Sequence, residues 1–296
     1  MLPELEFIKT KENNWVLLKS PDHISEYIKK NGFWGQKEST IAKAFVLNKK
    51  NVNILDIGAN IGGFTLPMAK FISKNNGKIF SFEPQRIIFQ QLCANIILNR
   101  LDNVFTYNFA LGDKVQKINI PELDLWKSEN AGGLSIDANI RKNLNEESEK
   151  GLNFKNIEKE NKYNVQQITL DSLEFSFGID FIKVDIEGYE YDILEDITKK
   201  SEKIISLIIE FHNLDKNLNK IENFISKNKS LKLIHIHGNN FKGTDLNGNP
   251  NDIELTFVNR EKINISDEKT ERKYPIIGLD YKNLRRKDDI NLKFYE

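Results

Sequence analysis

The sequence has a single cysteine, Cys93, among its 296 residues. One thiol excludes an internal disulfide and any zinc site built from several cysteines. Such scarcity is usual in a reducing compartment, so we expect a cytoplasmic protein. Cys93 falls on the apolar side of a predicted helix, where a thiol packs as a small hydrophobic group.

Long apolar runs and a net charge are also missing. No window approaches 18 uninterrupted apolar residues, and the first residues lack a basic segment followed by an apolar one. We therefore expect neither a transmembrane segment nor an export signal.

The sequence carries no net charge, with 43 basic residues (lysine and arginine) and 43 acidic residues (aspartate and glutamate). Proteins that neutralise many phosphates generally show a basic excess. Nucleic acid is not the expected partner.

Short apolar runs alternate with amphipathic stretches from residue 50 onward. This pattern is typical of β-α-β units around a mostly parallel sheet. Helical spacing of apolar residues after Pro84 and after Asp215 predicts helices that cover the sheet. We expect seven strands, near residues 52–57, 78–82, 103–108, 180–185, 204–211, 231–237 and 253–258.

Three segments depart from this alternation. Residues 1–45 are expected to form an N-terminal cap on a main domain of residues 46–265, and residues 266–296 a tail that packs back on it. A charged insertion is expected at about 121–165. Within it, eleven of the 22 residues from 141 to 162 are charged, which indicates a solvated helix or a mobile excursion. A lid and a surface decoration would both fit such an insertion.

The most informative stretch is NILDIGANIGGFT at residues 53–65, an apolar strand that ends on Asp56 and breaks into a glycine-rich turn. A dinucleotide, a phosphate and S-adenosylmethionine compete for such a loop. The dinucleotide fingerprint G-x-G-x-x-G needs glycine where this sequence has Asn60. A P-loop needs Lys-Thr or Lys-Ser after its last glycine, and neither lies in register. An acid followed by a compact turn suits the cationic ammonium and sulfonium of S-adenosylmethionine.

Acidic residues also end two further predicted strands. Glu83 ends the second strand, where a carboxylate would hydrogen-bond the ribose hydroxyls of a nucleoside. In the fourth, Lys183, Asp185 and Glu187 alternate and would share one face at the carboxyl edge, where open α/β sheets bind ligands. Burying such charges is costly unless they are paired. The row therefore indicates a functional site.

Six motifs resemble, in order, those of the FkbM-type family of S-adenosylmethionine-dependent methyltransferases. They are DIGANIGGFT, SFEP, NFALGD, AGGLS, ITLDS and KVDIEGYE, over about residues 50–212. The resemblance implies the α/β class I (Rossmann-like) methyltransferase fold, with a seven-stranded, mostly parallel sheet flanked by helices and an antiparallel last strand. It also implies S-adenosylmethionine as methyl donor and mainly O-methylation, often of sugars in polysaccharides, glycolipids or natural products.

The resemblance further implies a set of cofactor-binding residues. The turn after the first strand would line the methionine end, Glu83 the ribose, and Asn108 with Ala110 the adenine region. The complete set is Asp56, Gly58, Ala59, Asn60, Gly62, Phe64, Thr65, Glu83, Pro84, Asn108, Ala110, Asp185 and Glu187.

Methyl transfer to a hydroxyl requires that the acceptor oxygen be aligned with the sulfonium and that its proton be removed. The predicted catalytic residues are His212 or His237 as base and Asp185 to position the acceptor or a divalent ion. Asp185, Glu210 and His212 fall on neighbouring strands and form the tighter cluster. The usual strand order puts His237 about 10 Å from the fifth strand. Metal dependence and oligomeric state stay open.

The leading hypothesis is an O-methyltransferase acting on a hydroxyl of a sugar or sugar-containing precursor of a bacterial surface polysaccharide or glycolipid. Alternatives are methylation of a small natural product or lipid headgroup, and a catalytically silent S-adenosylmethionine-binding module. An NAD-dependent oxidoreductase is disfavoured by Asn60. The GNN stretch at residues 238–240 fits both sugar binding and a hairpin turn.

Overall fold

The computed structural model describes residues 1–135, 141–142, 157–175, 177–265, 274–276, 279–283 and 287–292. Its helices and strands follow in chain order. They are β1 (Leu5–Lys9), β2 (Asn14–Leu18), α1 (His23–Asn31), α2 (Gln36–Val46), β3 (Asn53–Ile57), α3 (Thr65–Ser73), β4 (Lys78–Phe82), α4 (Arg86–Leu98), β5 (Val104–Tyr107), β6 (Phe109–Leu111), β7 (Gln116–Leu123), β8 (Glu158–Ile168), β9 (Phe181–Val184), α5 (Leu194–Lys199), β10 (Ser206–Phe211), α6 (Leu214–Lys227), β11 (Leu231–Thr244) and β12 (Pro250–Asn259).

A seven-stranded sheet in the order β11-β12-β10-β9-β3-β4-β5 forms the centre of the fold. The strands from β10 to β5 pair in parallel, and β12 runs antiparallel to both β10 and β11. In β3, Ile54, Leu55 and Ile57 are fully buried because a central parallel strand is covered on both faces. The predicted class I methyltransferase fold is confirmed, including the seventh strand between the fifth and sixth.

The structure differs from the sequence-based expectation at two strands. The sixth strand, β11, continues to Thr244, so residues 238–240 lie within it and not in a hairpin turn. The segment predicted as a solvated helix or excursion contributes residues 158–162 to β8, which pairs with β7 and β6 in a second sheet. Main-chain pairing satisfies this strand while its charged side chains remain exposed. Residues 143–156 of the insertion lie outside the described residues.

The N-terminal segment packs on the helices beside the central sheet. Asn95 of α4 accepts a hydrogen bond from the backbone N–H of Val16 over 2.6 Å, and Gln91 donates to the carbonyl oxygen of Val16 over 3.0 Å. Helix α2 contacts α3 and β9. This packing brings the start of α2, with Lys37 and Glu38, to the carboxyl edge of the sheet.

Described parts of the C-terminal tail contact the outer strand β11. Asp280 pairs with His235 over 2.8 Å, and Asp289 lies 3.3 Å from His237. Gly238 of β11 faces Ile290 and Leu292 of the tail. A Cβ added at Gly238 would lie only 3.2 Å from Ile290. Within the described residues, no helix is long and apolar enough to cross a membrane.

Candidate functional site

The turn after β3 depends on glycine at its first position. Gly58 has φ +85°, and a Cβ there would lie 1.8 Å from the carbonyl oxygen of Asp185. The N–H groups of Gly58 and Ala59 donate to the carbonyl oxygen of Phe82 over 3.0 and 2.9 Å. Asn60 also has a left-handed backbone, at φ +50°, which asparagine adopts more readily than most residues. The turn is therefore held against both neighbouring strands.

Glu83 lies next to this turn, at the end of β4. One carboxylate oxygen accepts from the N–H of Asn60 over 2.9 Å, and the other accepts from the N–H of Gln85 over 2.8 Å. Burial raises the pKa of Glu83 to about 7, although both hydrogen bonds oppose this. Each oxygen keeps a further acceptor site, so the carboxylate can receive hydrogen bonds from two hydroxyl groups.

Asp56 lies behind the turn and is fully buried. It accepts a hydrogen bond from the Thr65 hydroxyl over 2.5 Å and lies 3.8 Å from Nζ of Lys183. Burial raises the pKa of Asp56, while Lys183 and Thr65 lower it. Contrary to the sequence-based expectation, its carboxylate does not line the cavity beside the turn.

That cavity has a volume of about 440 Å³ and opens at the carboxyl edge of the sheet. Of the residues predicted to bind cofactor, its wall contains Gly58, Ala59, Asn60, Phe64, Glu83, Pro84, Ala110, Asp185 and Glu187. The others stand behind the wall, where they support it. Thr65 binds Asp56, Gly62 packs on Leu66 and Leu92, and Asn108 donates to the carbonyl oxygens of Glu83 and Pro84.

His212, which also lines the cavity, faces three carboxylates. Its Nδ1 lies 2.8 Å from Glu190, and its Nε2 lies 3.5 Å from Glu187 and 3.9 Å from Glu210. Burial alone would lower the pKa of His212, but the charges of Glu190 and Glu187 outweigh it and raise the pKa well above its usual value. Asp185 offers a carboxylate oxygen to the same cluster.

His237, the alternative predicted base, is 2% exposed and lies outside the cavity wall. Its Nδ1 is 2.6 Å from Nζ of Lys37 and 3.4 Å from Glu254. Burial opposes its charge, but the nearby carboxylates of Asp289 and Glu254 outweigh burial and raise the pKa to about 9. The structure thus separates the two predicted histidines, with β12 between their strands.

Sequence reasoning missed an aromatic wall that the N-terminal segment contributes to the cavity. The closely spaced Phe33 and Trp34, between two glycines, were the available signal. Trp34 packs against Gly63, where a Cβ would lie 2.8 Å from its ring. Lys242, paired with Asp252 over 3.0 Å, was also missed. The N-terminal rings are His23, Tyr27, Phe33 and Trp34, and further rings on the same cavity include Phe109, Phe241 and Tyr281; we call these seven rings the aromatic wall.

The methyltransferase FkbM domain family matches residues 56–232, more than half of the chain. The chain belongs to this family. The matching segment of this FkbM methyltransferase contains Glu83, Asp185 and His212, whereas His237 and Lys37 lie outside it.

Among curated proteins, the FkbM methyltransferase is similar to tRNA(Phe) (4-demethylwyosine(37)-C(7)) aminocarboxypropyltransferase of Methanocaldococcus jannaschii. The two are 36% identical over 70 residues, which are 24% of this chain and 27% of that protein. The match therefore spans about a quarter of the relative's length.

Three solved structures are similar to the FkbM methyltransferase at low identity. A methyltransferase FkbM from Methylobacillus flagellatus is 16% identical, with a TM-score of 0.43 and coverage of 71% of this chain and 45% of that one. Trm5b from Pyrococcus abyssi is 12% identical, with a TM-score of 0.44 and coverage of 86% and 56%. TYW2 from M. jannaschii, in complex with AdoMet, is 16% identical, with a TM-score of 0.38 and coverage of 87% of both chains.

Proposed function

We propose that this FkbM methyltransferase is an S-adenosylmethionine-dependent O-methyltransferase whose acceptor is a hydroxyl of a sugar or a sugar-containing precursor. The observation that carries the proposal is that one cavity is lined by two unlike groups of residues. We call the glycine turn with the Glu83 carboxylate the donor end, and the polar groups of Glu210, His212 and Asn239 the acceptor end. A nucleoside suits the donor end, and a molecule with several hydroxyl groups suits the acceptor end.

The donor end fits S-adenosylmethionine. The turn from Gly58 to Asn60 lines the cavity, and both oxygens of Glu83 can accept from ribose hydroxyls. Asp185 offers negative charge beside the turn for the cationic methionine portion. When bound, the cofactor supplies a methyl group on a positively charged sulfur. Gly58, Asn60, Glu83 and Asp185 are the residues that would hold and orient it.

The acceptor end supports a neutral molecule rich in hydroxyl groups. Every lysine and arginine on the described part of the wall already has a carboxylate partner, so none is left for a phosphate. The pairs are Lys37–Glu254, Arg141–Glu158, Lys183–Asp185, Lys242–Asp252 and Lys282–Asp288. Asn239 and the carboxylates provide donors and acceptors for hydroxyls. The aromatic wall provides an apolar surface for the C–H face of a sugar ring.

We assign the catalytic centre to the cluster around His212 and Asp185. His212 lines the cavity and stands beside Glu187 and Glu210, so an acceptor hydroxyl placed here can lose its proton to one of these groups. His237 is the weaker candidate because Lys37 and Glu254 occupy its Nδ1 side and it does not reach the wall. A precursor of a surface glycan would meet the enzyme in the cytoplasm, before export.

The test is transfer of labelled methyl from S-adenosylmethionine to a panel of acceptors. The panel contains sugar nucleotides, glycolipid precursors, a glycan extract, lipid headgroups, small phenolic natural products and tRNA. We expect label in a sugar, recovered after hydrolysis as an O-methyl monosaccharide by mass spectrometry. Label confined to tRNA, phenols or sugar-free lipid would refute the sugar assignment. Tight cofactor binding without transfer to any acceptor would support the silent binding module.

A further inference from the structure

Asp185, Glu187 and His212 converge on one point of the cavity floor. Strands β9 and β10 are parallel neighbours, with Ile209 opposite Val184, so the residues that follow each strand lie side by side. Each of the three offers one ligand atom, and these atoms lie within 4.8 Å of one another. Two carboxylates and one imidazole form a donor set that divalent metal ions accept.

Glu190 fixes the orientation of the His212 ring. Its Oε1 lies 2.8 Å from Nδ1 of His212 and also accepts from the N–H groups of Ile186 and Gly188 over 3.1 and 3.0 Å. Glu190 is fully buried, so this carboxylate has a single well-held position. With Nδ1 engaged, Nε2 is the ring atom that faces the other carboxylates. Metal-binding histidines are commonly held by a carboxylate in this way.

The distances from Nε2 of His212 to the neighbouring carboxylate oxygens are close to those between two ligands of one metal ion. Nε2 lies 3.5 Å from Glu187 and 3.9 Å from Glu210, beyond the usual length of a hydrogen bond. Two ligands bound to one ion at about 2.1 Å stand roughly 3.0 to 3.5 Å apart when they subtend between a right and a tetrahedral angle. Small movements of these side chains would bring all the donor atoms to such distances.

Apart from Lys183, which lies 3.3 Å from Asp185, the lysines near this point pair with other carboxylates. In the same region Glu254 pairs with Lys37 and Asp252 pairs with Lys242. Among the described residues, Glu187 and Glu210 have no lysine or arginine within 4.0 Å. Buried carboxylates are costly without a positive partner. Glu210 is moreover oriented toward the cluster by a hydrogen bond from Asn239.

We propose that Asp185, Glu187 and His212 bind a divalent metal ion of the Mn²⁺ type, with Glu210 at its edge, and that the ion holds the acceptor hydroxyl. This rests on the proposed function and makes His212 a ligand rather than the base. The acceptor oxygen bonds to the methyl carbon as the carbon–sulfur bond breaks, and that electron pair stays on sulfur. The hydroxyl proton passes to the Glu210 carboxylate and from there to water.

Binding of Mn²⁺ alone to the full chain, stripped of metal with EDTA and dialysed, tests the site without any acceptor. Electron paramagnetic resonance of free Mn²⁺ should show about one bound ion per chain. Glu187→Gln and His212→Ala should each weaken binding at least 10-fold. Glu190→Ala should weaken it by about 10- to 100-fold, and Glu190→Gln, which can still accept from Nδ1–H, by less. Glu195→Gln, on an exposed turn of α5, is the matched control and should bind as wild type.

Thermal melting identifies variants that fail to fold. If His212→Ala is unfolded, Mn²⁺ binding by the isosteric Glu187→Gln tests the site instead. Absence of Mn²⁺, Mg²⁺ and Zn²⁺ binding at millimolar concentration by the folded wild type would overturn the proposal. Binding that survives in folded Glu187→Gln and Asp185→Asn would overturn it equally. Sugar methylation that persists in EDTA refutes the metal and leaves the proposed function intact. Metal binding without sugar methylation supports the metal site and refutes the proposed function.

Discussion

Lys183 donates a hydrogen bond from Nζ to the carbonyl oxygen of Gly58 over 2.8 Å. A side chain of β9 thereby holds the glycine turn that follows β3. The same Nζ lies 3.3 Å from Asp185 and 3.8 Å from the fully buried Asp56. Burial opposes the charge of Lys183, but Asp185 and Asp56 outweigh it and raise the pKa of Lys183 above its usual range. Lys183 therefore links the glycine turn to Asp185, which lines the cavity.

Lys183→Met should both destabilise the fold and weaken donor binding. It leaves Asp56 buried without a cation, a type of loss that costs about 3 to 5 kcal/mol. It also frees the carbonyl oxygen of Gly58, so we expect affinity for S-adenosylhomocysteine to fall at least 10-fold. Urea denaturation and calorimetric titration measure the two effects. Lys199→Met, whose exposed lysine pairs with Glu195, is the control, and equal behaviour of the two variants would contradict the role of Lys183.

Gly58→Ala should abolish donor binding for a steric reason. Gly58 and Gly248 both have φ +85°, but a Cβ at Gly58 would lie 1.8 Å from the carbonyl oxygen of Asp185, whereas nothing lies within 4 Å at Gly248. The loss of unfolding free energy in Gly248→Ala therefore measures only the cost of holding alanine at a positive φ, about 1 kcal/mol. The difference in unfolding free energy between the variants isolates the clash. A Gly58→Ala protein that binds the donor normally would show that the turn can move aside.

Glu83→Gln should reduce donor affinity at least 10-fold while the fold persists. Glutamine keeps the size of the side chain but turns one acceptor toward a backbone N–H into a donor, so Asn60 or Gln85 loses its partner. The remaining oxygen cannot serve both ribose hydroxyls. Calorimetric titration with S-adenosylhomocysteine and with adenine locates the loss. An equal loss for adenine would contradict a contact with the ribose.

The central sheet was predictable because its strands are short apolar runs bounded by turn residues, as in NILDI followed by Gly58. Strand β8 was not, because its first residues are charged and exposed and show no apolar alternation. Glu83, Asp185 and His212 could be singled out because acids and histidines at strand ends stand out in an apolar context. The sequence could not show that the Asp56 carboxylate meets Thr65, the first residue of α3.

Lys37 could not be found from local pattern at all. Its partner Glu254 is 217 residues away, and the pair forms only when the fold brings the start of α2 beside β12. The aromatic wall has the same origin, since the rings of the N-terminal segment face Phe241 of β11. Contacts between distant segments decide the acceptor end, whereas the donor end is built largely from one continuous motif and its neighbouring strands.

His237 should contribute to stability and not to catalysis. Asp289 and Glu254 raise its pKa to about 9 against the effects of burial and of Lys37. Because the folded-state pKa exceeds the ordinary value of 6.5, the charged ring stabilises the fold fully below pH 6.5, and this contribution disappears as pH rises through about 9. A shift of this size corresponds to about 3 kcal/mol at most.

His237→Gln should therefore flatten the pH dependence of the unfolding free energy between pH 6.5 and 9. The variant should be less stable than wild type at pH 6 and nearly equal to it above pH 9.5, because the wild-type ring is then neutral. His235→Gln, on the same strand but paired with Asp280, is the control for losing any buried histidine there. Since His237 lies outside the cavity wall, we expect kcat within about 3-fold of wild type. A folded His237→Gln that binds S-adenosylhomocysteine as wild type but has kcat reduced 100-fold or more would contradict this expectation and favour His237 as the base.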